Sequence, residues 1–163
     1  MYAQGALQDH VRETFMPEEP TTTLLLVEDD PGHARLIERN LQRVNFPYPI
    51  TVLRNGQAAL DYIWSAQEEQ DGRYLPSCLV LLDLHLPGCS GVEVLARLKS
   101  SARTKHIPVI MLTTTDDLHE MEHCYALGCN AYFTKPIAYD LFVEVIQRLG
   151  WLLTEIAVPR GTL

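Results

Sequence analysis

The sequence predicts an α/β fold in which helices cover both faces of a doubly wound, five-stranded parallel sheet. Two observations support this prediction: five short apolar runs alternate with amphipathic segments, and polar side chains of chemical interest follow four of those runs. Continuous apolar runs of this length are typical of parallel strands that are buried on both faces. Strands that alternate with helices are joined by right-handed crossovers, which place the helices on both faces of one sheet.

The strands are predicted from the apolar runs in chain order. Each run is bounded by turn-forming or charged residues, and the third is the most apolar segment of the chain. A long polar stretch at residues 65–77 precedes the third strand and is predicted to be an exposed connection. The five predicted strands are Thr23–Val27, Ile50–Leu53, Cys78–Leu82, Pro108–Leu112 and Ala131–Thr134.

The helices are predicted from apolar residues that recur at intervals of three and four. Asp30 is an N-cap candidate for the first helix, and Pro31 suits the first helical position. The second helix follows a predicted turn at Asn55–Gly56. Asp116 or Asp117 caps the fourth helix, which ends at Gly128 because glycine is the usual residue after a helix C-terminus.

The chain of 163 residues divides into three predicted parts around one compact domain. Residues 1–20 form an N-terminal extension that is either disordered or a short amphipathic helix. Residues 21–150 form the folded domain. Residues 151–163 form a C-terminal extension that is more apolar than a free tail, so it either folds back on the core or contacts a partner.

Composition excludes several classes of function. The net charge of -8 argues against a nucleic-acid surface, because phosphate backbones favour clustered Lys and Arg. No apolar run approaches the roughly 20 residues of a membrane span, and the N-terminus lacks a secretory apolar segment. The four cysteines lack metal-site spacing and are expected to be buried thiols. We therefore expect a cytoplasmic protein without membrane or nucleic-acid partners.

Polar groups at four predicted strand ends point to one kind of chemistry. The first strand ends in Glu28 and Asp29, the third in Asp83, the fourth in Thr113, and the fifth just before Lys135. Ligands of doubly wound sheets bind at the carboxyl ends of the strands. Carboxylates that are brought together repel unless a cation lies among them, and Mg²⁺ prefers oxygen ligands. With a lysine and a hydroxyl for phosphoryl oxygens, this set predicts phosphoryl transfer to a carboxylate.

Four segments around these residues resemble the signature segments of bacterial response-regulator receiver domains. They are Val27–Pro31, Leu81–Gly88, Val109–Thr113 and Phe133–Pro136. The resemblance covers about residues 22–150. It implies the flavodoxin-like receiver fold with strand order 2-1-3-4-5.

The resemblance also implies a role for each matching acid. Asp83 would accept a phosphoryl group from a sensor histidine kinase. Asp29 and Asp83 would bind Mg²⁺ (or Mn²⁺) directly, and Glu28 would act through a metal-bound water. The backbone carbonyl of His85 would be the third protein ligand.

The remaining roles concern the phosphoryl group and the response to it. Thr113 would bond a phosphoryl oxygen, and Lys135 would pair with the phosphate. Tyr132 would follow the switch, or would be a static half-buried tyrosine. His85 and Thr115 would tune the dephosphorylation rate, although His85 could equally be a surface residue. The bond before Pro136 is expected to be cis.

A narrower resemblance is to the small regulators associated with bacterial phytochromes. It rests on Leu112–Thr115, Tyr125–Gly128 and the polar stretch before the third strand, and it implies a phytochrome kinase as the phosphodonor. We expect no output domain and no enzymatic activity beyond the protein's own phosphorylation and dephosphorylation. Output would act through contact with a downstream protein target, or the phosphoryl group would pass to a phosphotransfer protein in a phosphorelay. A homodimer is a separate expected partner, suggested by the apolar C-terminal extension.

Two other classes of protein are weighed against this interpretation. An aspartate-nucleophile phosphatase would have a second acid two residues after the nucleophile, where this chain has His85. A pseudo-receiver that never takes phosphate would lack Asp29, Asp83 or Lys135, and all three are present.

Overall fold

The computed structural model describes residues 22–68 and 77–155, without the side chains of residues 66–68. The predicted 1–20 extension, residues 69–76 of the polar stretch and residues 156–163 lie outside this part. Its strands are β1 Thr23–Val27, β2 Ile50–Leu53, β3 Cys78–Leu82, β4 Val109–Thr113 and β5 Ala131–Thr134. Its helices are α1 Pro31–Arg43, α2 Gly56–Glu68, α3 Gly91–Ser100, α4 Leu118–Leu127 and α5 Tyr139–Glu155.

The five strands form one parallel sheet in the order β2-β1-β3-β4-β5. This confirms the predicted fold class and strand order. β1, β3 and β4 are the inner strands, and their apolar side chains are almost completely buried. The sheet separates two apolar layers, one packed against α2, α3 and α4 and the other against α1 and α5.

Strand register brings the polar strand ends together. β1 and β3 pair from Thr23 opposite Cys78 to Val27 opposite Leu82, so the next residue of each strand lies beside the other. On the other side, Thr113 pairs with Thr134, the last residue of β5.

Helix caps follow the local sequence closely. The Asp30 side chain accepts from the His33 amide at 2.7 Å and caps α1, with Pro31 in its first turn. Asp117, rather than Asp116, caps α4. Gly128 follows α4 with φ of 103°, a left-handed conformation that glycine adopts without steric cost.

Two boundaries differ from the sequence prediction. Gly56 is the first residue of α2 instead of part of a turn, and the Asn55 side chain accepts from the Ala58 amide at 2.8 Å. α5 continues through the predicted boundary at residue 150 to Glu155. The reason is that Leu153 is fully buried in the layer between α1, α5 and the sheet, so the helix gains apolar burial by extending. Among the described residues, no helix is both long enough and apolar enough to cross a membrane.

Candidate functional site

The carboxyl edge of the sheet carries five of the residues that the sequence singled out. Glu28 and Asp29 follow β1, Asp83 follows β3, Thr113 ends β4 and Lys135 follows β5. Backbone hydrogen bonds continue the sheet at this edge. The Asp83 amide donates to the Val27 carbonyl at 3.0 Å, and the Lys135 amide donates to the Thr113 carbonyl at 2.7 Å.

Three carboxylates converge at this edge. Glu28, Asp29 and Asp83 each place one oxygen within 4.8 Å of the other two. Glu28 and Asp83 are buried and Asp29 is exposed, so the cluster opens to solvent on one side. An all-oxygen donor set that is open to water suits Mg²⁺ or Mn²⁺, because Mg²⁺ binds through one or two carboxylates and keeps several waters.

The Lys135 ammonium is buried between two of these acids. Its Nζ donates to Asp83 Oδ2 at 2.8 Å and also to the Glu28 carboxylate. Burial raises the pKa of Glu28, and the hydrogen bond from Lys135 opposes that rise. The ammonium therefore compensates two buried negative charges, which would otherwise be costly to remove from water.

The Thr113 hydroxyl is a buried polar group without a partner. Its Oγ1 has no hydrogen bond among the described residues, and the side chain is completely buried. Leaving such a group unpaired costs about 1–3 kcal/mol. An oxygen-rich ligand bound next to Asp83 and Lys135 would satisfy it.

The prediction of a cis bond before Pro136 is wrong, because every described peptide bond is trans. The trans form of a bond to proline is intrinsically favoured by about 0.5–1 kcal/mol. With this bond trans, Lys135 already reaches both carboxylates, so the hydrogen bonds of its side chain do not require the cis form.

Of the three remaining predicted residues, His85 contacts the acidic cluster, whereas Thr115 and Tyr132 contact each other. The His85 amide donates to Asp83 Oδ1 at 3.2 Å, while its exposed ring lies 3.9 Å from Glu120 of α4. The Tyr132 hydroxyl donates to the Thr115 carbonyl at 3.2 Å. Burial raises the pKa of Tyr132 to about 12, so this hydroxyl keeps its proton near neutral pH. The sequence did not indicate Glu120, because no local pattern places α4 beside the loop after β3.

This combination of fold and site defines a class of protein, the doubly wound domain that carries phosphoryl chemistry at the carboxyl edge of its sheet. Residues 24–147 match the family model of the response regulator receiver domain. The chain therefore belongs to the response regulator receiver family, whose members are phosphorylation-dependent switches.

Three known proteins illustrate the similarity. The crystal structure of a response regulator receiver domain from Rhodospirillum rubrum is 40% identical, with a TM-score of 0.79 over 86% of this chain and 99% of that chain. Response regulator Rcp1 of Synechocystis is 37% identical over 83% of this chain and 92% of its own length. The Mn(2+)-bound form of Rcp1 superimposes with a TM-score of 0.75 at 32% identity, over 86% of this chain and 99% of that chain.

The third comparison is with RcpA, whose crystal structure is that of a phosphorylated cyanobacterial phytochrome response regulator. It is 32% identical, with a TM-score of 0.73 over 84% of this chain and 97% of that chain. The similarity to both regulators covers most of each chain.

Proposed function

We propose that this protein is a signalling switch in which Asp83 accepts a phosphoryl group from the phosphohistidine of a sensor histidine kinase. The observation that carries the proposal is the meeting of three groups at one sheet edge. Asp83 accepts a hydrogen bond from the Lys135 ammonium at 2.8 Å and belongs to the three-carboxylate cluster. The buried, unpaired hydroxyl of Thr113 lies at the same edge. A nucleophile, a cation site and two groups for phosphoryl oxygens are what transfer to a carboxylate requires.

The acids divide the work of binding and attack. Asp29 and Asp83 would hold Mg²⁺ or Mn²⁺ directly, with Glu28 acting through a water and the His85 carbonyl as a further ligand. The bound cation neutralises charge on the transferring phosphoryl group. An Asp83 oxygen attacks phosphorus, so a new O–P bond forms as the P–N bond to the kinase histidine breaks.

Lys135 and Thr113 would bind the phosphoryl group after its transfer to Asp83. Once Asp83 carries the phosphoryl group, the Lys135 ammonium can pair with a phosphoryl oxygen instead of the free carboxylate. The Thr113 hydroxyl can donate to another of these oxygens. Tyr132 and α4 then change position with Thr113, as expected for a two-state element biased by a local charge. His85 and Thr115 would set the lifetime of the acyl phosphate by limiting the access of water to it.

The partners follow from this switch. The similarity to RcpA supports a phytochrome kinase as the phosphodonor. Output would pass to a downstream protein or, in a phosphorelay, to a phosphotransfer protein. Kinases that use ATP work in the cytoplasm, and the four free cysteines are compatible with that reducing compartment. The protein turns over no substrate other than its own acyl phosphate.

A homodimer is the further partner that we propose. The outer face of α5 exposes large apolar side chains, among them Leu141, Trp151 and Leu152. Apolar residues that cluster on a surface are typical of protein contacts. A second copy of the chain that covers this face would remove them from water.

Incubation with acetyl phosphate and Mg²⁺, followed by intact mass, tests the acceptor. The wild type should gain one phosphoryl group. EDTA should abolish the gain, and so should Asp83→Asn. Asp140→Asn is the matched control, because Asp140 is an exposed aspartate in the first turn of α5. A wild type of unchanged mass would identify a pseudo-receiver, and a gain that survives in Asp83→Asn would move the acceptor elsewhere.

A further inference from the structure

The loop Leu84–Ser90 joins Asp83 to α3 and carries the backbone of His85. Two of its own contacts shape it: the His85 amide bonds the Asp83 carboxylate, and the Gly91 amide donates to the Leu84 carbonyl at 2.9 Å. Its last residue, Ser90, forms a reciprocal capping box with Glu93. Any movement of this loop would therefore also move the backbone next to Asp83, including the His85 carbonyl.

Gly91, the first residue of α3, lies directly against the acceptor's backbone. A Cβ at this position would be 2.1 Å from the Asp83 carbonyl oxygen and 2.8 Å from the Leu84 Cα. The glycines with positive φ in the described part are Gly88 and Gly128, so Gly91 is not there for a left-handed backbone. It is required by space, because any side chain would displace backbone atoms.

Gly56, the first residue of α2, contacts the other end of the same loop. Its Cβ would be 2.3 Å from the Cys89 carbonyl oxygen and 2.7 Å from the Val94 side chain. Gly56 also has no positive φ. The Asn55 side chain accepts from the Ala58 amide at 2.8 Å, so Gly56 lies inside the capped first turn of α2.

These two glycines differ from the other four in the described part of the chain. Only at Gly56 and Gly91 would a Cβ come within 3 Å of backbone atoms. Gly150 of α5 offers a contrast, because its Cβ would meet only side-chain atoms, at 2.6 Å from Val44 and 3.0 Å from Leu41. Both backbone contacts thus fall on the segment that begins with Asp83.

We propose that Gly56 and Gly91 are positioning residues for the phosphorylation site. Helices α2 and α3 each begin with a glycine that packs directly against the Asp83–Ser90 segment. Together the two glycines hold this segment at the sheet edge. A methyl group at either position shifts this backbone outward, and the Asp83 carboxylate and His85 carbonyl move with it. The proposal rests on the proposed function, since it assigns these glycines to that site.

The test compares Gly56→Ala and Gly91→Ala with Gly150→Ala, which crowds the core between α1 and α5. Thermal unfolding identifies a temperature at which all three variants are folded. Phosphorylation by acetyl phosphate and Mg²⁺ affinity by calorimetry are then measured there. A displacement of about 1 Å costs up to roughly 100-fold in rate, so Gly91→Ala should react at least about tenfold more slowly. Gly56→Ala should also be slower and bind Mg²⁺ more weakly.

Gly150→Ala should keep the wild-type rate and Mg²⁺ affinity even if its melting temperature falls. Folded Gly56→Ala and Gly91→Ala with wild-type rates and affinities would overturn the proposal, and so would an equal loss in Gly150→Ala. If neither site variant folds, the glycines serve the fold rather than the site, and the proposal is wrong. If the wild type itself takes no phosphoryl group, the proposed function fails, while the comparison of Mg²⁺ affinities still decides the role of the glycines.

Discussion

At the residue scale, the Thr113 hydroxyl is the clearest sign of a site that is built for a ligand. Native proteins pair nearly all buried polar side-chain atoms, and an exception calls for an explanation. This exception lies at the sheet edge that also carries Asp83 and Lys135, two groups suited to phosphoryl chemistry. The unpaired hydroxyl lowers the stability of the protein without ligand. A ligand that hydrogen-bonds to it would restore that stability.

Thr113→Val should therefore stabilise the unphosphorylated protein. Valine keeps the shape of threonine and removes the unpaired hydroxyl, so the free energy of unfolding should rise by about 1 kcal/mol in urea titrations. The same variant should lose acyl phosphate faster or accept it more slowly. Thr113→Ser is the control, because it keeps the hydroxyl. A destabilised valine variant would contradict the interpretation, since it would reveal a hydrogen bond at Thr113.

At the element scale, α5 shows how one helix serves two surfaces. Its inner face packs with α1 against the sheet and buries Phe142, Ile146 and Leu149. Its last two turns continue this pattern, with Leu153 fully buried and Trp151 and Leu152 exposed. The helix extends as far as the apolar layer offers it a surface on which to pack.

Leu153→Ala should cost about 2–5 kcal/mol in the free energy of unfolding, because it removes a buried side chain and leaves a cavity. Leu118→Ala, at an exposed leucine of α4 outside the proposed dimer face, should stay within about 0.5 kcal/mol of the wild type. Chemical denaturation of both variants measures the difference. Equal, small losses at the two positions would mean that the end of α5 is not packed on the core.

At the scale of the whole molecule, the two faces of the sheet are covered unequally. Three helices, α2, α3 and α4, cover one layer, while α1 and α5 cover the other, and the outer face of α5 exposes large apolar side chains. A conformational change that starts at Asp83 has to alter an exposed surface before it can affect the binding of a partner. The exposed face of α5 is the one on which we propose that a second copy binds.

Trp151→Ser should lower the mass measured by light scattering from that of a dimer to that of a single chain, because Trp151 is a large exposed apolar side chain of α5, 59% accessible in one chain. Tyr62→Ser on α2 is the control, since Tyr62 is also exposed but belongs to the opposite layer. A wild type that is a single chain at all concentrations, or a dimer that survives Trp151→Ser, would argue against this interface.

Much of the fold and of the site's composition could be predicted from the sequence. Apolar runs and helical periodicity are local signals, and the alternation of strands with helices leaves few topologies. Polar residues at four strand ends were bound to meet, because parallel strands share one carboxyl edge. The cap at Asp30 and the helix end at Gly128 could also be predicted, because each is a single residue of a typical type beside a periodic segment.

Other features depended on contacts between distant parts of the chain. Lys135 bonds to Glu28 across a separation of 107 residues, so its pairing with acids in the absence of phosphate had no local signal. The position at which α5 ends likewise depends on the packing of Leu153 in the layer between α1, α5 and the sheet.

The sequence by itself determined the strands, the helices and the chemical groups at the sheet edge, because each depends on neighbours within a few residues. Only the tertiary structure decided the free Thr113 hydroxyl and the close approach of Gly56 and Gly91 to the acceptor loop. Those features are spaces and distances between elements, and such distances are fixed by how whole helices pack on the sheet.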